Sequence, residues 1–192
     1  MPTSKLLPTL SWRALAPAII AMALVIFASN RLVQFPVSYT VWGIDLAGVL
    51  TWGAFTYPIS FLVTDTTNRL FGAVAAGRVV AAGFVVGVAL SAFDAPRIAV
   101  ASGVAFLTAQ TLDIVLFDRL RRQVWWKAPS VSSLVSSIVD TGLFFSLAST
   151  GSSAPWFHWA VGDFCAKLLM VALLLLPFKW LTRSRPSLST TA

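Results

Sequence analysis

The chain has 192 residues, of which 57% are hydrophobic and only 11% charged, with a mean hydropathy of +0.82. An ordinary soluble domain carries roughly a quarter charged residues, so a water-soluble globule is excluded. The net charge is +7, and all seven acidic residues are Asp. Lys and Arg sit at the ends of apolar blocks rather than in one stripe, which excludes a nucleic-acid-binding surface and fits anchoring beside an anionic membrane leaflet.

Residues 1–13 read as a cytoplasmic N-terminal segment carrying Lys5 and Arg13. This basic flank imitates a signal peptide, but the apolar block Ala14–Gln34 is not closed by an A-x-A-like site, so it is expected to be the first membrane helix. Further apolar blocks follow at Leu46–Thr66, Val79–Phe93, Ile98–Phe117, Val131–Thr150 and Trp156–Trp180. A bilayer crossing needs about 17 to 25 residues. The third block is short by that measure and should extend over Ala75–Arg78 or lie where the bilayer thins. Residues 14–182 are thus expected to form one all-α, six-helix transmembrane domain. The Ser/Thr-rich residues 183–192 are expected to be a disordered cytoplasmic tail.

The loops set the orientation. Lys5, Arg13, Arg69, Arg78, Arg119, Arg121, Arg122, Lys127, Lys179, Arg183 and Arg185 fall on the side of both termini, against Arg31 and Arg97 on the other. By the positive-inside rule both termini are cytoplasmic, as in a multi-pass protein of a bacterial inner membrane. Tryptophans near block ends, such as Trp12, Trp52, Trp125 and Trp156, fit an interfacial belt.

One cysteine, Cys165, excludes an internal disulfide, and with one histidine, His158, it cannot supply a four-ligand zinc site. No metal or cofactor is expected. No G-x-x-x-x-G-K-[ST] occurs, so the chain cannot hydrolyse ATP alone.

Polar groups inside apolar blocks are expensive and therefore mark function. Gln110 and Asp113 lie one turn apart on a helix face, and Asp140 falls near the middle of its run. Asp163 and Lys167 are four apart, the spacing of an intrahelical ion pair. Counting 1.5 Å per residue along alternating helices puts Gln110, Asp113, Asp140 and Lys167 near the midplane, where they could meet. Such a cluster suits a small, planar, hydrogen-bond-rich molecule, with Asn30 toward the outer end of the first helix. Asp65 and Arg69 share a face at the cytoplasmic end of the second block and read as a lock or loop anchor. Ser132, Ser133, Ser136 and Ser137 read as small residues that admit a close helix neighbour. The competing structural reading of the buried charges is that they only tie helices together.

A family resemblance rests on these residues. It runs from Ser29-Asn30, Leu32-Val33-Gln34 and Pro36-Val37 through Thr51-Trp52-Gly53-Ala54-Phe55 and Pro58 to Thr64-Asp65 and Arg69-Leu70-Phe71-Gly72. It continues at Gln110, Asp113, Phe117, Arg119-Leu120-Arg121, Trp125-Trp126, Ala128-Pro129, Asp140-Thr141 and Phe144-Phe145, and ends on His158-Trp159 and Asp163-x-Cys165-x-Lys167. With these the chain resembles the queuosine precursor transporter family, also called the vitamin uptake transporter family. The resemblance implies six helices similar to the substrate-binding subunits of energy-coupling-factor vitamin importers. It also implies uptake of 7-cyano-7-deazaguanine and 7-aminomethyl-7-deazaguanine for queuosine salvage in tRNA. On that implication Asp140, then Asp113, reads the guanine-like edge, Lys167 or Gln110 donates to its O6, and another Asp serves the cationic form.

The partners expected are a small-molecule substrate and the lipid bilayer, with no nucleic acid. Whether the chain works alone, as a homo-oligomer or docked to an ATPase coupling complex, as an importer of another vitamin-like molecule would, stays open. A rival class is an intramembrane hydrolase with a Ser–His158 dyad, although no G-x-S-x-G is present.

Overall fold

The computed structural model describes residues 12–94, 96–150 and 156–183. The N-terminal segment up to Ser11 and the tail beyond Arg183 lie outside the described residues, so the expectations about them go no further here. Helix α1 is Trp12–Leu32, α2 Gly53–Thr56, α3 Ile59–Phe71, α4 Ala73–Asp94, α5 Pro96–Leu120, α6 Lys127–Ala148 and α7 Trp156–Thr182. Between α1 and α2 two short strands, β1 Thr40–Val41 and β2 Ile44–Asp45, pair as an antiparallel hairpin.

Uninterrupted apolar sequence makes α1, α6, α7 and the Val100–Leu120 part of α5 long and apolar enough to cross a bilayer. Helix α4 begins at Ala73, so the short third block is extended over Ala75–Arg78 as expected. The chain is an all-α membrane bundle apart from the hairpin.

The block Leu46–Thr66 departs from expectation, because it is not one helix. Asp45 caps a 3-10 turn at Leu46–Gly48 by accepting the Ala47 N–H at 3.0 Å. The single turn of α2 follows, and Pro58, which has no N–H to continue a helix, stands at the head of α3. Helix α3 then runs on through Thr64-Asp65-Thr66-Thr67-Asn68-Arg69 to Phe71. That stretch is polar by composition, yet Ser60, Thr64, Asp65, Thr67 and Asn68 are all buried. The reason is position. Helix α3 packs against α1, α4, α5, α6 and α7, and so forms the middle of the bundle.

Around this polar axis the apolar contacts fall into two groups. Met22, Ile26, Val79, Val80 and Phe106 join α1, α4 and α5. Phe117, Ala128 and Phe178 join α5, α6 and α7. The small residues Ala101, Ala105 and Ala109 of α5 and Ser132 and Ser136 of α6 are all buried, and α5 and α6 share the most extensive helix pairing. Small side chains allow that close approach. Leu169, Leu173, Leu176 and Trp180 of α7 stay exposed, as a lipid-facing surface requires.

Basic residues gather at one end. Arg78 stacks over Trp12, Lys179 over Trp125, and Arg69 donates to the Arg121 carbonyl, which brings the termini of α1, α3, α4, α5 and α7 together. At the other end the segment after α1 folds back: Val37 N–H bonds Leu50 O and Trp52 N–H bonds Phe35 O. It presses on α7 so closely that a methyl group at Gly162 would overlap the Val49 carbonyl oxygen.

Candidate functional site

Lys167 lies on α7 deep in the bundle, 3% exposed, where an unpaired ammonium would be prohibitively costly. Its Nζ donates to Asp140 Oδ2 on α6 at 2.7 Å and to Thr141 Oγ1 at 2.9 Å, and pairs with Asp163 Oδ2 at 2.5 Å. Thr141 Oγ1 in turn donates to Asp163 Oδ2 at 2.8 Å. The break between α2 and α3 brings in Tyr57, whose hydroxyl donates to Asp140 Oδ1 at 3.0 Å and whose ring lies 5.4 Å from the Lys167 ammonium. Tyr57 is itself held edge-on by Phe61 and Phe106.

Chemically this is one ammonium facing two carboxylates. Formal charge leaves a surplus of acceptors, each carboxylate oxygen having more than one acceptor direction. The cluster can therefore take up N–H groups of a ligand at the carboxylates while Lys167, Thr141 and Tyr57 donate to its carbonyl oxygen.

A second polar group lies further along α3. Gln110 Nε2 of α5 donates to Ser60 Oγ at 2.9 Å, and Thr64 Oγ1 donates to Gln110 Oε1 at 2.6 Å. Asp65 accepts from Ser132 at 3.4 Å and Ser133 at 3.3 Å, and it lies with Asp113 between the Thr64–Gln110 and Asn68–Ile114 hydrogen bonds that join α3 to α5. Both Asp113 oxygens are buried without a hydrogen bond. Asn68 Nδ2 donates to the Ile114 carbonyl at 3.1 Å below. The structure thus brings Asp140, Asp163 and Lys167 together, whereas Gln110 and Asp113 stand apart in this second group.

Asp65 and Arg69 share α3, but Asp65 turns to the serines of α6 and Arg69 to the Arg121 backbone, while Arg121 Nη2 donates back to the Arg69 carbonyl at 3.3 Å. The reciprocal contact joins α3 to α5. Asn30 follows Ser29, whose hydroxyl donates to Thr56 at 3.1 Å, one residue before Tyr57. His158 is exposed on the first turn of α7, whereas Ser132 and Ser133 of α6 are buried against Asp65.

Two residues of the first cluster were not read from sequence as ligands, Tyr57 and Thr141. Tyr57 lies 83 positions from Asp140, in the turn between α2 and α3, so sequence spacing does not announce the contact. Thr141 carried a signal, since it adjoins Asp140 on a face that four-residue spacing does not reveal.

A family model described as "Putative vitamin uptake transporter" matches residues 51–95 and 92–182. The chain is 36% identical over 181 residues to the "Queuosine precursor transporter" of Escherichia coli (strain K12), covering 80% of this chain and 79% of that protein. It is 35% identical over 186 residues, with the same coverage of 80% and 79%, to the "Probable queuosine precursor transporter" of Haemophilus influenzae (strain ATCC 51907 / DSM 11121 / KW20 / Rd). No solved structure matches.

Proposed function

The chain belongs to the vitamin uptake transporter family, and from that premise we propose that it imports queuosine precursors, binding 7-cyano-7-deazaguanine or 7-aminomethyl-7-deazaguanine at the Tyr57–Asp140–Thr141–Asp163–Lys167 cluster. The observation that carries the reading is Lys167 held between two carboxylates where α6, α7 and the α2–α3 break meet.

A 7-deazaguanine presents N1–H and an exocyclic amine side by side, which one carboxylate accepts in bidentate fashion, and an O6 that needs a donor. Asp140 supplies the carboxylate, and Lys167 with Thr141 supplies the donors. Asp163 then remains for the ammonium of the aminomethyl form. Tyr57 fixes the angle of Asp140 through its hydroxyl. The basic end of the bundle faces the cytoplasm of a bacterial inner membrane by the positive-inside rule, and the segment 36–52 covers the opposite end. Substrate enters past that segment and leaves by alternating access toward the basic end. The Arg69–Arg121 contact closes its cytoplasmic end.

Uptake rescue tests this. The chain is expressed in cells lacking both deazaguanine synthesis and their own importer, and queuosine in tRNA is assayed after supplying 7-cyano-7-deazaguanine. Wild type restores the modification and Asp140→Asn, at equal membrane abundance, does not. An abundant, folded wild type that restores nothing rejects the substrate class.

A further inference from the structure

The first cluster carries its own cation and the second does not. Asp65 and Asp113 are 2% and 0% exposed, both lie between the Thr64–Gln110 and Asn68–Ile114 hydrogen bonds that join α3 to α5, and no Lys, Arg or His lies within 4 Å of either among the described residues. The surroundings are specified from every side. Ser132 and Ser133 of α6 point hydroxyls at Asp65. Ser136 and Ser137, one turn further along α6, are buried with hydroxyls that make no hydrogen bond. From α7, Val171, Leu174, Leu175 and Phe178 line an apolar cleft that reaches Asp65 and Ser133. On α4 the buried positions are Ala75, Ala76, Val79 and Val80. Arg69, on α3 itself, is engaged with the Arg121 backbone.

Two buried carboxyls in a water-poor interior demand a positive partner. The four carboxyl oxygens and the neighbouring hydroxyl oxygens are hard ligands suited to a proton or a bare monovalent metal ion, and unlike the first cluster they include no ammonium to meet a carbonyl oxygen. We propose that Asp65, Asp113 and the serines of α6 form a coupling site for one monovalent cation, a proton or Na⁺, whose gradient drives uptake at the separate substrate cluster. The inference rests on the transport reading above. The link between the sites is mechanical: α3 carries Asp65 two turns beyond Tyr57, and α6 carries Ser132 and Ser133 two turns before Asp140. A shift of either helix that alters cation binding alters the substrate cluster too, which is the reciprocal linkage that coupling needs.

The full chain is reconstituted in liposomes with the membrane potential clamped. Counterflow exchange of labelled 7-cyano-7-deazaguanine needs the substrate site but no driving ion, and it is measured first for wild type, Asp65→Asn and Asp113→Asn. Accumulation is then measured under an inward proton gradient of about one pH unit and, separately, an inward Na⁺ gradient of about tenfold. At one cation per substrate either can support up to about tenfold accumulation. Wild type is expected to accumulate substrate under one of the two gradients, which identifies the ion, while both variants exchange normally and stop at equilibration. Equilibration by wild type under both gradients, or accumulation by Asp113→Asn equal to wild type, overturns the proposal. If wild type shows no exchange, the substrate reading fails, and infrared difference spectra of the purified chain across a pH step and a Na⁺ step decide the cation site alone. A carboxyl band present in wild type and lost in Asp113→Asn supports it; no such band overturns it. Should the Asn variants not fold, Ser133→Ala is expected to weaken the cation dependence by about threefold, the equivalent of one hydrogen bond in a membrane interior, and an unchanged dependence rejects the site.

Discussion

Two polar clusters lie along the central helix, α3, one at Tyr57 just before it begins and one at Asp65 within it, and they meet the cost of burial in opposite ways. Near the N-terminal end, at Tyr57, Lys167 neutralises Asp140 and every polar atom of the trio finds a partner. Two turns on, Asp65 and Asp113 are buried with only serines for company, and both Asp113 oxygens go without a hydrogen bond. Roughly 12 Å along α6 separates Ser132 from Asp140 at 1.5 Å per residue. The first arrangement is stable as it stands and can exchange its internal bonds for those of a ligand. The second is completed only by something positive. Burial in a membrane is therefore not a uniform constraint, because the same helix supports one self-sufficient site and one that depends on an occupant.

The largest expected effect breaks the first cluster. Lys167→Met keeps the length and removes the ammonium, leaving the buried Asp140 and the partly buried Asp163 without a counter-charge. Removing one partner of a buried pair costs about 3 to 5 kcal/mol, so a large fall in melting temperature in detergent is expected together with loss of uptake. Adding Asp140→Asn to Lys167→Met should recover part of the stability but none of the uptake, since the charge imbalance shrinks while the ligand-reading groups stay absent. If the single Lys167→Met variant melts like wild type, the ammonium is not what balances the cluster.

The next test lies between the clusters. Thr64→Val is nearly isosteric and removes the hydroxyl that donates to Gln110 Oε1 at 2.6 Å. A buried acceptor left unsatisfied costs about 1 to 3 kcal/mol. Melting should fall by that amount, while the KM for uptake changes little if Gln110 serves as a structural tie between α3 and α5. A KM rise larger than the stability loss would move Gln110 into the substrate site and join the two regions into one.

How legible all this was from sequence follows the same division. Helices α1, α5, α6 and α7 could be read because apolar runs of bilayer length have few other outcomes, and α4 because its shorter run needed only the extension over Ala75–Arg78. Helix α3 was read only in part: the block Leu46–Thr66 covered its first residues and put Asp65 and Arg69 on one face, but neither the start at Ile59 nor the burial of its polar end by five neighbouring helices was legible. The meeting of Asp140 with Lys167 was foreseeable from depth alone, and the Asp163–Lys167 pair from four-residue spacing. Counting residues does not fix depth to within a turn or two and carries no information on azimuth, however: the group around Asp65 and Asp113 lies about two turns along α6 from Asp140, and Gln110 turns to Ser60 and Thr64 of α3. Tyr57 was out of reach, because its place at Asp140, 83 positions away, is set by tertiary packing that no periodicity announces.

The smallest expected effect is the one that separates positioning from charge. Tyr57→Phe keeps the ring against Phe61, Phe106 and the Lys167 ammonium and deletes only the hydroxyl that donates to Asp140. Hydrogen bonds between membrane helices average about 0.6 kcal/mol and reach about 1.7, so stability should hardly move. The lost donor frees one Asp140 oxygen to rotate, and a carboxylate that must accept two N–H groups side by side tolerates little rotation. Uptake by Tyr57→Phe is therefore expected to show a KM raised by about threefold to tenfold with the maximal rate near wild type, as initial-rate measurements over a substrate series would read. A lower maximal rate at unchanged KM would mean that Tyr57 governs the movement of α3 instead of the set of Asp140, and the substrate cluster would then end at α6 and α7.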